Sequence, residues 1–421
     1  MAKEKKYPQI DPNAPIKRIW TIFAMVIWSA AFIVKTKNHA KIVKHGKLPK
    51  PPYILLSTHA SMIDFYMALM LTFPHKIYWV STVEEFIPRY FIFRRIGVLA
   101  KRKFNNDPRA ALKYLEVLQK KKKILAIYPE ARYSFDGENE RIDKSMGRFI
   151  KTANVPVVFI KAHGDYLYCP QWSDHKVRKV NPIISDVRTL LTKKNIEMMT
   201  AQEIQELVEE QYDMSEEKWV EEHHILNTYE NRAVGLHRIL YKCPHCGTEF
   251  EMTSETHFLK CNHCGATYDY LENGQLQNTN GETKFHYPSD WYKWEKTCVK
   301  KEVEDGTYHF EDEVRVEKLL GAKIGFVPME GKYHLTHTVK DGIVIKGEDN
   351  DFIFERPALY SYAIHIEYDY LNRGGFLEVA DNKDTYFVYP LNKSANLTKI
   401  HFAVEHIYDH FKEKLNKEKG Q

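Results

Sequence analysis

The chain is poor in cysteine, with six in 421 residues. That is far too few to staple a disulfide scaffold. Four of the six fall in two CxxC pairs, which favours metal over disulfide. No Gly- or Pro-rich period occurs, and this excludes a fibrous chain. Long hydrophobic runs are scarce too. Ile19–Val34 is free of charge, but its sixteen residues reach only about 24 Å against a bilayer core of about 30 Å. The run ends in Lys-Thr-Lys-Asn-His with no small-residue cleavage site, unlike a secretory signal. Acidic residues are few in the front of the chain. Residues 1–123 hold 24 Lys/Arg against 7 Asp/Glu, a net +17, so within a total of +5 the remainder carries −12.

What is present points to a globular chain. Apolar residues make up 43% and aromatics 13%, enough to bury a core and exclude wholesale disorder. The length is that of two to four domains. The cationic front calls for an anionic partner: phosphate, nucleic acid or a membrane surface. Lys17 and Arg18 precede the apolar run and Lys35, Lys37, Lys41 and Lys44 follow it. Basic flanks on both sides, with Trp20 and Trp28 within, fit a helix lying at a membrane interface rather than crossing it. The other reading is an apolar helix packed on its own domain.

Residues 1–50 are thus read as an arm and interface helix. From 51 to 185 short apolar runs alternate with helical stretches, the pattern of an α/β layer fold. Strands are expected at 53–57, Ile77–Val80, Val98–Ala100, Ile124–Tyr128 and Val157–Ile160. A helix is expected over Met62–Leu71, with Ser61 as its cap, and another from Asp107-Pro108 through Lys120. Residues 186–240 hold 12 acids against 6 bases and read as an acidic helical connector. Residues 241–270 carry the cysteine pairs, and 271–304 follow as a second connector. Residues 305–421 alternate apolar and polar positions in TYHF, GIVIKG, DFIFE, YAIHIEYDY and TYFVYP, and close with an amphipathic helix over Thr398–Leu415. They read as a β-rich domain.

Two groups of residues carry chemistry. Ser-Thr-His-Ala-Ser-Met-Ile-Asp, residues 57–64, stands between the first strand and first helix. A carboxylate at Asp64 in the first helical turn can fold back on His59, fix its tautomer and leave the other ring nitrogen as a base. Such a base has no built-in nucleophile, so the nucleophile would be a substrate hydroxyl. The second group is Cys243-Pro-His-Cys246, fourteen residues, then Cys261-Asn-His-Cys264. Two such knuckles let four thiolates close a tetrahedron around zinc, leaving no position for water, so the metal is read as structural. His245 and His263 fall inside the knuckles and are read as non-ligands. Cys169 and Cys298 are read as ordinary thiols.

Further blocks follow the His–Asp pair in order: Gly97-Val-Leu-Ala-Lys-Arg-Lys103, Tyr128-Pro-Glu-Ala-Arg-Tyr-Ser134 and Val155-Pro-Val-Val158. Over about residues 20–185 this set resembles the PlsC-type glycerolipid acyltransferases, the family of the 1-acyl-glycerol-3-phosphate acyltransferases. His59 and Asp64 match the first block, and Gly97 and Lys103 the second, with Lys in place of Arg. Pro129, Glu130 and Ser134 match the third. There Ala131 replaces a Gly, and Arg132-Tyr133 replaces Thr-Arg.

The resemblance implies transfer of a fatty acyl group to a lysophospholipid or glycerol-phosphate-type acceptor at the cytoplasmic face of a membrane. The thioester donor would be acyl-CoA or acyl carrier protein. His59 would be the general base, oriented by Asp64. Lys101, Arg102, Lys103 and Arg132 would hold the acceptor phosphate. Glu130 and Ser134 would line the same pocket, Glu130 binding an acceptor hydroxyl or bracing the basic cluster. Two other readings compete. A nucleic-acid-binding zinc-ribbon protein is disfavoured because the cysteines lie in the acidic part of the chain. A catalytically idle membrane scaffold is kept open by the altered third block.

Overall fold

The computed structural model describes residue 10, residue 12 and residues 14–418 except 88, 106, 107, 181, 214, 322, 323, 370–372, 382 and 393–396. The expected helix start at Asp107 and most of the N-terminal arm lie outside the described residues.

The first layer is built around a seven-stranded sheet. Its elements are α1 (Thr21–Lys37), β1 (Lys41–His45), β2 (Ile54–Ser57), α2 (Ile63–Thr72), β3 (Ile77–Thr82), α3 (Tyr90–Ile96) and β4 (Val98–Lys101). They continue with α4 (Pro108–Leu115), β5 (Ile124–Ile127), α5 (Met146–Ala153), β6 (Val157–His163), α6 (Asp165–Tyr168) and β7 (Ile184–Leu191). Strand order is β1-β7-β6-β2-β5-β3-β4. Every pair is parallel except β6 with β7. The central strands ILLS and ILAI are buried at every position, as a parallel sheet covered on both faces requires. The α3–β4 junction turns on Gly97 at φ +93°. A Cβ there would stand 2.7 Å from the Ile77 carbonyl oxygen, so only glycine fits.

The sheet is wider than the sequence predicts. It takes in β1, which falls in the stretch read as arm and helix. It also takes in β7, which opens the stretch read as a helical connector. β7 (ISDVRTLL) sets Asp186 and Arg188 among its four apolar residues and alternates only partly buried with buried positions over its first half, a weak local signal that the antiparallel pairing to β6 overrides. The rest of that connector is helical: α7 (Lys193–Met198), α8 (Ala201–Gln211) and α9 (Glu216–Glu222). Thr192 and Thr200 cap α7 and α8 with reciprocal side-chain bonds.

Beyond 240 a four-stranded antiparallel sheet carries the cysteines: β8 (Met252–Glu255), β9 (Phe258–Cys261), β10 (Thr267–Tyr270) and β11 (Leu276–Asn278). The stretch read as a second connector holds a 17-residue helix, α10 (Pro288–Glu304). A larger antiparallel sheet follows, with β12 (His309–Leu319), β13 (Phe326–Pro328), β14 (Tyr333–Thr338), β15 (Gly342–Gly347) and β16 (Ile353–Arg356). It is completed by β17 (His365–Glu367), β18 (Phe376–Ala380) and β19 (Thr385–Pro390), and the chain closes with α11 (Leu397–Glu418). One hydrophobic core joins the cysteine sheet, α10, the large sheet and α11, and it reaches Phe135 and Trp172 of the first layer. The back half therefore packs directly on the loops that follow β5 and α6.

Candidate active site

β2 delivers the chain to His59, and α2 begins at Ile63. Ser61 does not cap this helix, whose N-terminus carries no side-chain cap bond. Asp64 does the local work instead. Its Oδ2 accepts the N–H groups of Ala60 (3.0 Å) and Ser61 (3.2 Å) and lies 3.2 Å from His59 Nδ1. With the imidazole proton on Nδ1, the bond to Asp64 leaves Nε2 as an acceptor. Burial, then the charge of Lys103, holds the imidazole down at about 3, so the ring is neutral at physiological pH.

The loop after β5 clamps this arrangement. His59 N–H donates to Glu130 Oε2 (2.9 Å), and Ser134 N–H donates to the His59 carbonyl (3.0 Å). Glu130 Oε1 accepts the N–H of Glu140 at 2.9 Å, so its carboxylate ties two loops to the histidine. The imidazole lies between Tyr128 and Tyr133, with ring centroids 4.2 and 4.3 Å away. Ala131 adopts φ +59°, the left-handed conformation that glycine takes without cost.

Behind Asp64 stands Asp165, buried at the carboxyl end of β6, where the two carboxyl groups act on one another's protonation. Burial pushes Asp64 up to about 6, opposed by the neighbouring Asp165 and by its hydrogen bonds to Ser61 and Ala60. Asp165 is pushed well above the ordinary range by burial and by the Asp64 charge. Gly164, at φ +79° with the Pro182 carbonyl oxygen 2.5 Å from where a Cβ would sit, sets this turn. Sequence reasoning passed over Asp165. Its signal was an acid directly after a strand that ends beside His59, at the sheet edge where parallel α/β folds gather their sites.

The basic residues are placed differently from the histidine. Lys103 Nζ lies 2.8 Å from His365 Nε2 and 3.6 Å from Glu84 Oε1. Arg102 donates to the Lys383 carbonyl at 2.8 Å. Arg132 is buried, paired with Glu140 and with Glu405 (2.7 Å), and 3.1 Å from His401 Nδ1. Ser134 Oγ donates to the Glu138 carbonyl (2.6 Å). Lys101 ends β4, half-buried, with no partner for its ammonium among the described residues. Three of the four cations thus bind the back half of the chain.

The four cysteines come together. Cys243 Sγ lies 3.7 Å from Cys264 Sγ, and Cys246 Sγ lies 3.9 Å from Cys261 Sγ. A tetrahedron of thiolates about 2.3 Å from zinc has edges of about 3.8 Å. The cluster therefore has the dimensions to hold a metal ion. Cys243 and Cys261 are buried in the shared core.

Residues 38–161 match the family model Acyltransferase. The crystal structure of the 1-acyl-sn-glycerophosphate (LPA) acyltransferase PlsC from Thermotoga maritima is similar over 48% of this chain and 79% of its own. Identity is 20% and the TM-score 0.37. No curated protein matches the chain.

Proposed function

We propose that the acyltransferase segment moves a fatty acyl group from a thioester, acyl-CoA or acyl carrier protein, to a hydroxyl of a lysophospholipid or glycerol-phosphate-type acceptor. The observation that carries this reading is the His59–Asp64 pair, placed at the strand-to-helix junction inside the matched segment. His59 Nε2 takes the acceptor's hydroxyl proton as the oxygen attacks the thioester carbonyl. Asp64 holds Nδ1–H and offsets the imidazolium charge that develops. Collapse of the tetrahedral intermediate expels the donor's thiolate, which takes the proton from Nε2. Lys101, without a partner for its ammonium among the described residues, is the basic residue left to meet an acceptor phosphate, and Glu130 serves by fixing the histidine loop.

The reaction belongs at a membrane surface. On α1, Ile22, Met25, Val26, Phe32 and Ile33 are 59–66% exposed, and Phe73, Phe91 and Ile92 extend the apolar face. Ala24 and Ala31 are buried on α1, where their small side chains let α2 approach. Arg95 stacks over Trp20 and Phe91 at the edge of this face. Among the described residues no helix is long and apolar enough to cross a membrane. An apolar face with a basic rim suits the interface instead. The four cysteines would hold a structural zinc.

The idle-scaffold reading draws on one observation: Arg132 and Lys103 are held by the chain's own acids. The test is turnover. Purified protein incubated with lysophosphatidate and acyl-CoA or acyl carrier protein forms the diacyl product if the proposal holds. No product with either donor, on a range of lysophospholipids, supports the scaffold.

A further inference from the structure

We propose a second metal site, distinct from the cysteines, made by Glu84, His365 and Glu378 where the first layer meets the large sheet. Glu84 lies in the turn after β3, and His365 and Glu378 face each other as register partners on β17 and β18. All three are buried, and one donor atom from each lies within 4.8 Å of those of the other two. Both oxygens of Glu84, both oxygens of Glu378 and His365 Nδ1 are buried without a hydrogen-bond donor or acceptor. Buried carboxylates are ordinarily paired or metal-bound. Five such atoms in one cluster mark a place that a cation can fill in exchange for a proton held between Glu84 and Glu378.

Lys103 alone does not supply it. Its one ammonium serves a cluster that also includes Glu367, whose Oε1 lies 3.2 Å from His365 Nε2. Three carboxylates thus surround a single positive charge. Glu367 is itself fixed by Gln171 at 2.6 Å. Lys103, which can only donate, now occupies the lone pair of His365 Nε2 at 2.8 Å. Once that ammonium withdraws, Nε2–H can donate to Glu367 Oε1 and leave Nδ1 with its lone pair, the usual outer support of a metal-binding histidine.

Ligands about 2.1 Å from a common ion lie at most about 4.2 Å apart, and the three donor atoms already gather within 4.8 Å of one another. Two carboxylates and one imidazole suit Mn2+, Fe2+ or Zn2+, with water completing the coordination. The ion would pin the large sheet to the turn beside Lys103. It would also take over the neutralisation of Glu84, freeing the Lys103 ammonium.

Mn2+ is the probe, because it prefers oxygen and imidazole donors and competes poorly for thiolates. Full-length protein with its cysteine site loaded with zinc is titrated with Mn2+ and followed by electron paramagnetic resonance. One Mn2+ per chain is expected, with the zinc content unchanged. Glu378→Gln should weaken it at least about a hundredfold, and Glu367→Gln about 10–100-fold. Lys103→Met, which removes the rival cation, should tighten it. Absence of stoichiometric Mn2+ binding in both wild type and Lys103→Met overturns the site. Binding that survives Glu378→Gln and His365→Ala unchanged overturns the ligand assignment. If Glu378→Gln fails to fold, the Lys103→Met titration decides alone.

Discussion

Asp64 holds His59 Nδ1 at 3.2 Å while the buried carboxyl group of Asp165 behind it acts on its protonation. Two carboxylates in contact cannot both ionise cheaply, so one proton is shared between them. The Asp64 carboxylate, raised to about 6, is the form that stabilises the imidazolium. Acyl transfer is therefore expected at full rate above that value and lost as pH falls through about 6. Asp165→Asn replaces the shared proton with a fixed amide donor and removes the competing charge. Its acid limb should move to lower pH, with turnover at pH 8 close to wild type. Asp165→Leu leaves Asp64 without that donor, and its limb should move up. The pH–rate profiles of the three proteins check this, and coincident limbs contradict a shared proton.

Ala131 stands at φ +59° in the loop that clamps His59. An L-residue there costs roughly 1–2 kcal/mol relative to glycine, less what glycine loses in unfolded-state entropy. Ala131→Gly is expected to be neutral to about 1 kcal/mol stabilising, with turnover retained. Denaturant unfolding measures the first and steady-state kinetics the second.

The exposed face of α1 predicts a separable membrane defect. Ile22 and Ile33 are solvent-exposed, so Ile22→Glu with Ile33→Glu should leave the melting temperature unchanged. Burying two such side chains in lipid contributes about 1.5–3 kcal/mol each. The double variant should bind anionic vesicles at least about a hundredfold more weakly by flotation, while activity on a short-chain soluble acceptor persists.

Cys261→Ser is expected to remove one zinc per chain by elemental analysis. Structural zinc supplies folding free energy on the order of 10 kcal/mol. The loss should spread beyond the knuckles, because Tyr268 of β10 packs edge-on against Trp291 of α10 at 5.0 Å. Hydrogen exchange should quicken over 241–278 and along α10. Fast exchange confined to the knuckle loops would contradict the shared core.

The parts legible in the sequence are those whose signal is local. ILLS and ILAI are unbroken apolar runs. His59 and Asp64 sit one helical turn from each other across a junction, and the cysteine knuckles announce themselves by spacing. β1 and β7 were hidden because KIVKH is mostly exposed and ISDVRTLL mixes charge with apolar residues. Only pairing across the sheet makes them strands. Ser61 was a reasonable cap by residue type, yet it makes no cap bond, and Asp64 instead turns its carboxylate back on the N–H groups of Ala60 and Ser61. The seam was the least legible. Arg132 finds Glu405 and Lys103 finds His365 from more than 260 positions away, and no local pattern encodes such a pair. Reading those cations as substrate anchors followed the family resemblance; in the fold they also lie beside acids of the chain itself.

The most direct test of the account is acyl transfer by His59→Ala, assayed beside wild type with a lysophospholipid acceptor and a thioester donor. Loss of a general base typically costs ~10²–10⁴ in rate. A fall of that size is expected, with unchanged folding and vesicle binding. Turnover within a few-fold of wild type would contradict it.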